Sequence, residues 1–97
     1  MQMTNIYVSQ RRLQRAGQIP AMRETLAAGG CLPRITLDRG PDGRVQVEDG
    51  HHRLAAIWMT GRRELRKDEY LLVEKETMRP RFGKILDLMA RCEIEPR

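Results

Sequence analysis

The sequence predicts an α+β domain: a small mixed sheet that includes a β-hairpin, packed by about four helices. Three observations carry that expectation. Two short segments, Arg34-Ile-Thr-Leu-Asp38 and Val45-Gln-Val-Glu48, have strand character, the second through its apolar–polar alternation. The turn formers Pro41, Asp42 and Gly43 lie between them and make the pair a hairpin. Elsewhere apolar residues recur at the spacing of one helical face, as Ile19, Met22 and Leu26 do.

Taken in chain order, Asn5-Ile-Tyr-Val8 reads as a short strand or an extended lead-in. Ser9 is placed to cap a short helix over residues 10–16 that stops at Gly17. Arg11, Arg12 and Arg15 would share one side of it, either as a solvated face or as a phosphate-facing patch. Pro20 suits the first turn of a second helix, and Gly29 and Gly30 suit its end. After the hairpin, Leu54–Trp58 is apolar and helix-permissive, with Gly61 as the closing residue. Residues 62–69 are mostly charged and read as a loop or a helix end. Tyr70-Leu-Leu-Val73 is a third strand. Pro80 interrupts the chain, and residues 82–92 read as a C-terminal helix with Phe82, Ile85, Leu86 and Met89 as its buried stripe. No internal repeat or low-complexity segment is present.

A chain of 97 residues is expected to form one domain over 1–97, with its core at about 5–74 and the C-terminal helix at about 81–92. With 40% hydrophobic and 32% charged residues it fits a globular class rather than a disordered one. The formal charge is +5, and only three of the 18 basic residues, Lys67, Lys75 and Lys84, are lysines. Arginine's planar fork suits phosphates, although an arginine-favouring codon composition would give the same count. The balance permits a nucleic-acid partner without establishing one. Cys31 and Cys92 lack CxxC spacing and read as free thiols, not as a zinc framework or a disulfide scaffold. No apolar run approaches a membrane span, and the start lacks the apolar core of a signal peptide. The expected location is cytoplasmic, with no membrane partner.

The chemistry concentrates in Asp49-Gly-His-His-Arg53, where a strand hands over to a helix. The first N–H groups of a helix have no internal acceptors and carry the positive end of its dipole. A phosphate is stabilised there. Gly50 lets a ligand approach the backbone. Arg53 could clamp it in two-pronged fashion, or simply pair with Asp49 one turn away. His51 and His52 could each donate a hydrogen bond or titrate near neutrality. Asp49 could cap the helix, orient a histidine, hold Mg²⁺ or act as a base. Neighbouring rings on a helix point about 100° apart, and no further Cys or His is near, so no transition metal is expected.

This pattern, preceded by Gly29-Gly30, Pro33 and an Ile-Thr-Leu strand, resembles the ParB/sulfiredoxin superfamily over roughly residues 5–74. The resemblance implies a ParB/sulfiredoxin-like fold and a nucleotide site at the motif. In chromosome-partitioning ParB proteins the tetrapeptide Gly-Glu-Arg-Arg contacts the phosphates of CTP; Gly50, His51, His52 and Arg53 match it in turn. In sulfiredoxins it is Gly-Cys-His-Arg, where the cysteine attacks an oxidised partner and the rest binds ATP phosphate. His51 stands at that cysteine, so sulfinic-acid reduction is not expected. The Asp-Gly-His-His-Arg form is similar to free serine kinases of the superfamily, whose aspartate Asp49 matches, and to small ParB-like proteins described as nucleases. Those kinases are longer and carry a further acidic residue upstream, where this chain has Glu24. The residues after the third strand suffice for one helix, not for the helix-turn-helix domain of partitioning proteins.

Three functions follow as expectations. The first is a module binding a nucleotide or phosphate through Gly50, His52 and Arg53, with ATP or CTP and Mg²⁺ at Asp49. It would act on or beside DNA through the basic clusters Arg11, Arg12, Arg15 and Arg62, Arg63, Arg66, Lys67. With 4% aromatic residues, a base-stacking platform is not expected. The second is an enzyme of phosphoryl transfer or phosphodiester cleavage, with Asp49, His51 and His52 as its catalytic groups. The third is a phage- or plasmid-type interaction protein that keeps the fold without catalysis, as a homodimer or with a protein partner.

Overall fold

In the computed structural model, which describes residues 1–92, every strand and helix that forms is built where the chain's own pattern allows it. Ile19–Ala27 (α1) begins at a proline that has no N–H to leave unsatisfied. It ends in a Schellman motif: Gly29 N–H donates to Leu26 O and Gly30 N–H to Thr25 O, with Gly29 in the left-handed region. Ile35–Arg39 (β1) and Val45–Asp49 (β2) form the antiparallel hairpin. His51–Met59 (α2) follows β2 after one residue. Tyr70–Glu74 (β3) returns to pair in parallel with β1, so the mixed sheet has the order β2-β1-β3. Ile85–Cys92 (α3) completes the described chain.

One face of the sheet packs the apolar core, and on the other Asp38 and Gln46 are also fully buried. Ile35, Leu37 and Val47 point into a cluster with Ile19 of α1, Leu54, Ala55, Ala56 and Ile57 of α2, and Ile85 and Leu88 of α3. Met3, Ile6, Val8 and Leu65 close it, so the core draws on residues to either side of 5–74. Residues 6–8 run as an extended lead-in along β2, with Tyr7 N–H donating to Val45 O and Val47 N–H to Tyr7 O.

Two expectations fail here. The α+β class and the mixed sheet with its hairpin are present, but among the described residues three α-helices form rather than about four. Residues 10–16 make no α-helix: the N–H groups of Leu13 and Arg15 go to the side chains of Cys92 and His52, and Ala16 opens a short 3-10 helix over Ala16–Gln18. The C-terminal helix starts at Ile85 rather than at 81 or 82. Phe82 N–H donates to Val8 O and Val8 N–H to Gly83 O, which holds the chain extended, and Gly83 has φ +83°. Its buried stripe is correspondingly Ile85 and Leu88, flanked by Phe82, Met89 and Cys92, while Leu86 is 65% exposed.

Candidate phosphate-binding site

A β-bulge sets the geometry of residues 49–53. From Arg39 to Leu37 the hairpin pairs regularly, Leu37 with Val47; the register then shifts, and Thr36 pairs with Asp49. Continued without the shift, it would set Asp49 opposite the buried Ile35 and turn its carboxylate to the core face. The extra residue prevents that, and the Asp49 side chain is 73% exposed. Gly50 stands at the N-cap of α2 with φ +106°. A Cβ there would lie 3.3 Å from Ile35, so both the backbone and the space require glycine. No side chain caps α2, and the N–H groups of His51, His52 and Arg53 have no acceptor within the helix.

The two histidines are used in a way the sequence does not announce. Ser9 N–H donates to Nε2 of His51 at 3.0 Å, and Arg15 N–H donates to Nε2 of His52 at 2.9 Å. An N–H can only donate, so both Nε2 atoms carry lone pairs and both rings are neutral with the proton on Nδ1. Burial holds the His51 pKa down at about 4, helped by the neighbouring His52 and opposed by Asp49. The His52 pKa is lowered too, by burial first and then by Arg15 and Arg53. Ser9 Oγ lies 3.3 Å from His51 Nε2, but its proton goes to Val47 O at 2.8 Å. In this arrangement the Ser9 hydroxyl proton is directed to Val47 and not to the imidazole. The lone pair that a general base needs is occupied on both rings.

These bonds pin the segment Ser9–Arg15 as a loop across the start of α2. Leu13 N–H reaches Cys92 Sγ at 3.2 Å, and Arg91 Nε donates to Arg11 O at 2.8 Å, so the end of α3 holds the middle of the loop. The structure thus brings Ser9 to His51 and Arg15 to His52 at the start of α2, on the loop that also carries Arg11 and Arg12. Arg11 sits 5.0 Å from the Phe82 ring. Among the described residues no ion pair or hydrogen bond engages the guanidinium groups of Arg12 and Arg15. Arg53, only 17% exposed in its side chain, bridges Asp49 Oδ2 at 3.0 Å and the carbonyl of Arg34.

Arg34 is a member of this surface that the motif does not name. The hairpin register could have found it, since Thr36 lies beside Asp49 and Arg34 is two residues away on the same strand approach. The cluster Arg62, Arg63, Arg66 and Lys67 lies at the opposite end of α2. There Arg62 makes two hydrogen bonds to Glu69, and Arg63 stacks 3.5 Å over Trp58. Glu24 lies on α1, lining the groove at that same far end. Among the described residues no three His, Cys, Asp or Glu side chains gather as a metal site, and no helix is long and apolar enough to cross a membrane. No family model, curated protein or solved structure matches the chain.

Proposed function

We propose that the chain binds a phosphate-bearing ligand, a nucleotide, at the N terminus of α2, and acts on or beside DNA through the surrounding basic surface. One observation carries the reading: the uncapped start of α2 lies beside Arg15, whose N–H donates to His52 and whose guanidinium no described residue engages by hydrogen bond or ion pair. Helix N–H groups and arginine forks are the two donor types that phosphate oxygens accept best. The likeness of residues 49–53 to the nucleotide motif of the ParB/sulfiredoxin superfamily supports the same ligand. Asp49, exposed at the edge, is the protein group that would meet a Mg²⁺ ion carried by the nucleotide. General-base catalysis by His51 or His52 is not part of the proposal, since each ring already accepts a backbone N–H.

The test is a calorimetric titration of ATP, CTP and inorganic phosphate, each with Mg²⁺, into wild type, Arg53→Ala and Arg12→Ala. Saturable binding by wild type, weakened in both variants while the far-ultraviolet circular dichroism stays native, is the expected result. A folded wild type that binds none of the three overturns the site. For DNA, contacts from Arg11, Arg12, Arg15 and Arg34 would give a log–log salt slope of roughly −3 to −4. A flat salt dependence overturns that part.

A further inference from the structure

Away from the motif, between α1 and the C-terminal end of α2, the surface opens into a groove of about 1070 Å³. Its volume is that of a small-molecule site. The floor is apolar: Ile19, Pro20, Leu26 and Ala27 from α1, and Met59 from α2. Ile19 is a core residue, whereas Pro20 and Ala27 are exposed and Leu26 and Met59 pack only at the margin of the core. The lip carries Arg66, whose side chain is 73% exposed. Its Nε lies 3.5 Å from Glu69, but that carboxylate is already held by two hydrogen bonds from Arg62. The terminal nitrogens of Arg66 have no hydrogen-bond acceptor among the described residues.

An apolar trough with the exposed guanidinium of Arg66 at its lip suits one occupant class. We infer that the groove binds a small amphipathic carboxylate, with the apolar body along Ile19, Leu26 and Met59 and the carboxylate on Arg66. Arg23, Arg62 and Glu24 also line the groove, with Arg62 held by Glu69, and the mainly apolar floor favours an occupant with an apolar body over a polyphosphate. The site is therefore chemically distinct from the one at the start of α2, and neither depends on the other.

Decanoate is the probe, titrated calorimetrically into wild type, Ala27→Trp and Arg66→Glu, with decanol as the uncharged control. Ala27 is exposed, so a tryptophan there fills the groove without entering the core. The expected result is saturable one-site binding of decanoate, abolished by Ala27→Trp and weakened roughly tenfold or more by Arg66→Glu, the loss of one charge-assisted contact. Decanol should bind more weakly than decanoate and be indifferent to Arg66→Glu. No decanoate binding by wild type, or binding that survives Ala27→Trp, overturns the site. Equal binding of decanol and decanoate overturns the role of Arg66. ATP binding in the Ala27→Trp variant reports separately on the phosphate site and should equal that of wild type.

Discussion

At the N-terminal end of α2, the arginine loop makes its contacts with its backbone: Ser9 and Arg15 donate through their N–H groups to two imidazole rings, and Arg11 accepts through its carbonyl. At the C-terminal end, the arginines make contacts with their heads: Arg62 to Glu69, Arg63 to Trp58. The same residue type thus serves two purposes on one helix. Where the backbone is held, Arg11 lies against the Phe82 ring, and no ion pair or hydrogen bond engages the guanidinium groups of Arg12 and Arg15 among the described residues. Where the heads are held, they brace a loop. Local charge explains the division, because Glu64, Asp68 and Glu69 are interleaved with the second cluster, whereas no acidic residue precedes Glu24 in the chain.

The largest way to break this contrast is to remove the pin. His51 is 3% exposed, and His51→Ala deletes a packed ring and orphans the N–H of Ser9. A loss of about 2–4 kcal/mol is expected in urea unfolding. Faster hydrogen exchange at the Ser9 amide would accompany it. A stability loss without faster exchange there would mean that the ring packs but does not pin.

Acid should reproduce part of that effect. In the unfolded chain the His51 ring titrates near 6.5, whereas the folded pKa is about 4. Between those values the unfolded state binds more protons, so the contribution of the neutral ring is complete above about pH 6.5 and is lost as pH falls toward 4. His52 contributes in the same direction. Unfolding midpoints measured from pH 7.5 down to 4 should fall in wild type, and should fall less in His51→Ala. Parallel curves for the two proteins would remove His51 from the account.

Much of this fold was legible in the sequence because the signals are local. Pro20 and Gly29-Gly30 bracket α1, Pro41-Asp-Gly43 turns the hairpin, and alternation marks β2. The site was legible as a strand-to-helix junction with Gly50 at its cap. What was not legible depends on contacts between distant residues. A capped arginine-rich helix at 10–16 is a sound local expectation, yet Ser9 and His51 lie 42 positions apart and Leu13 and Cys92 lie 79 apart. The bond from Leu13 takes a donor that the helix would have used, and the bond from Ser9 fixes the entry of the segment away from a helix cap. The exposure of Leu86 has the same origin: the start of α3 is fixed by pairing with residues 7–8, and that rotates the stripe to Ile85 and Leu88.

At the other end of the helix the expected effects are smaller. Arg62 holds the Glu69 pKa down at about 2, chiefly by direct hydrogen bonding. Its folded pKa lies below the unfolded one, so this contribution is present above about pH 4.5 and is lost as pH falls toward 2. Both partners reach solvent, so Arg62→Ala should cost only about 1 kcal/mol. It should raise the Glu69 pKa in a carbon-13 titration while leaving nucleotide affinity unchanged. A fall in affinity would mean that the second cluster also belongs to the ligand surface.

The smallest change in stability, and the sharpest test of the contrast, is Arg12→Ala. Arg12 is exposed, and no ion pair or hydrogen bond engages its guanidinium among the described residues, so unfolding free energy should move by less than about 0.5 kcal/mol. Affinity for a phosphate ligand should nevertheless fall several-fold, and the DNA salt slope should shrink by about one phosphate contact. Arg62→Ala is expected to do the reverse, costing stability and sparing affinity. That double dissociation sets the unengaged Arg12 against Arg62, which Glu69 holds. If Arg12→Ala and Arg62→Ala weaken binding equally, the loop pinned by the histidines has no special claim on the ligand, and the basic surface acts as a whole through net charge.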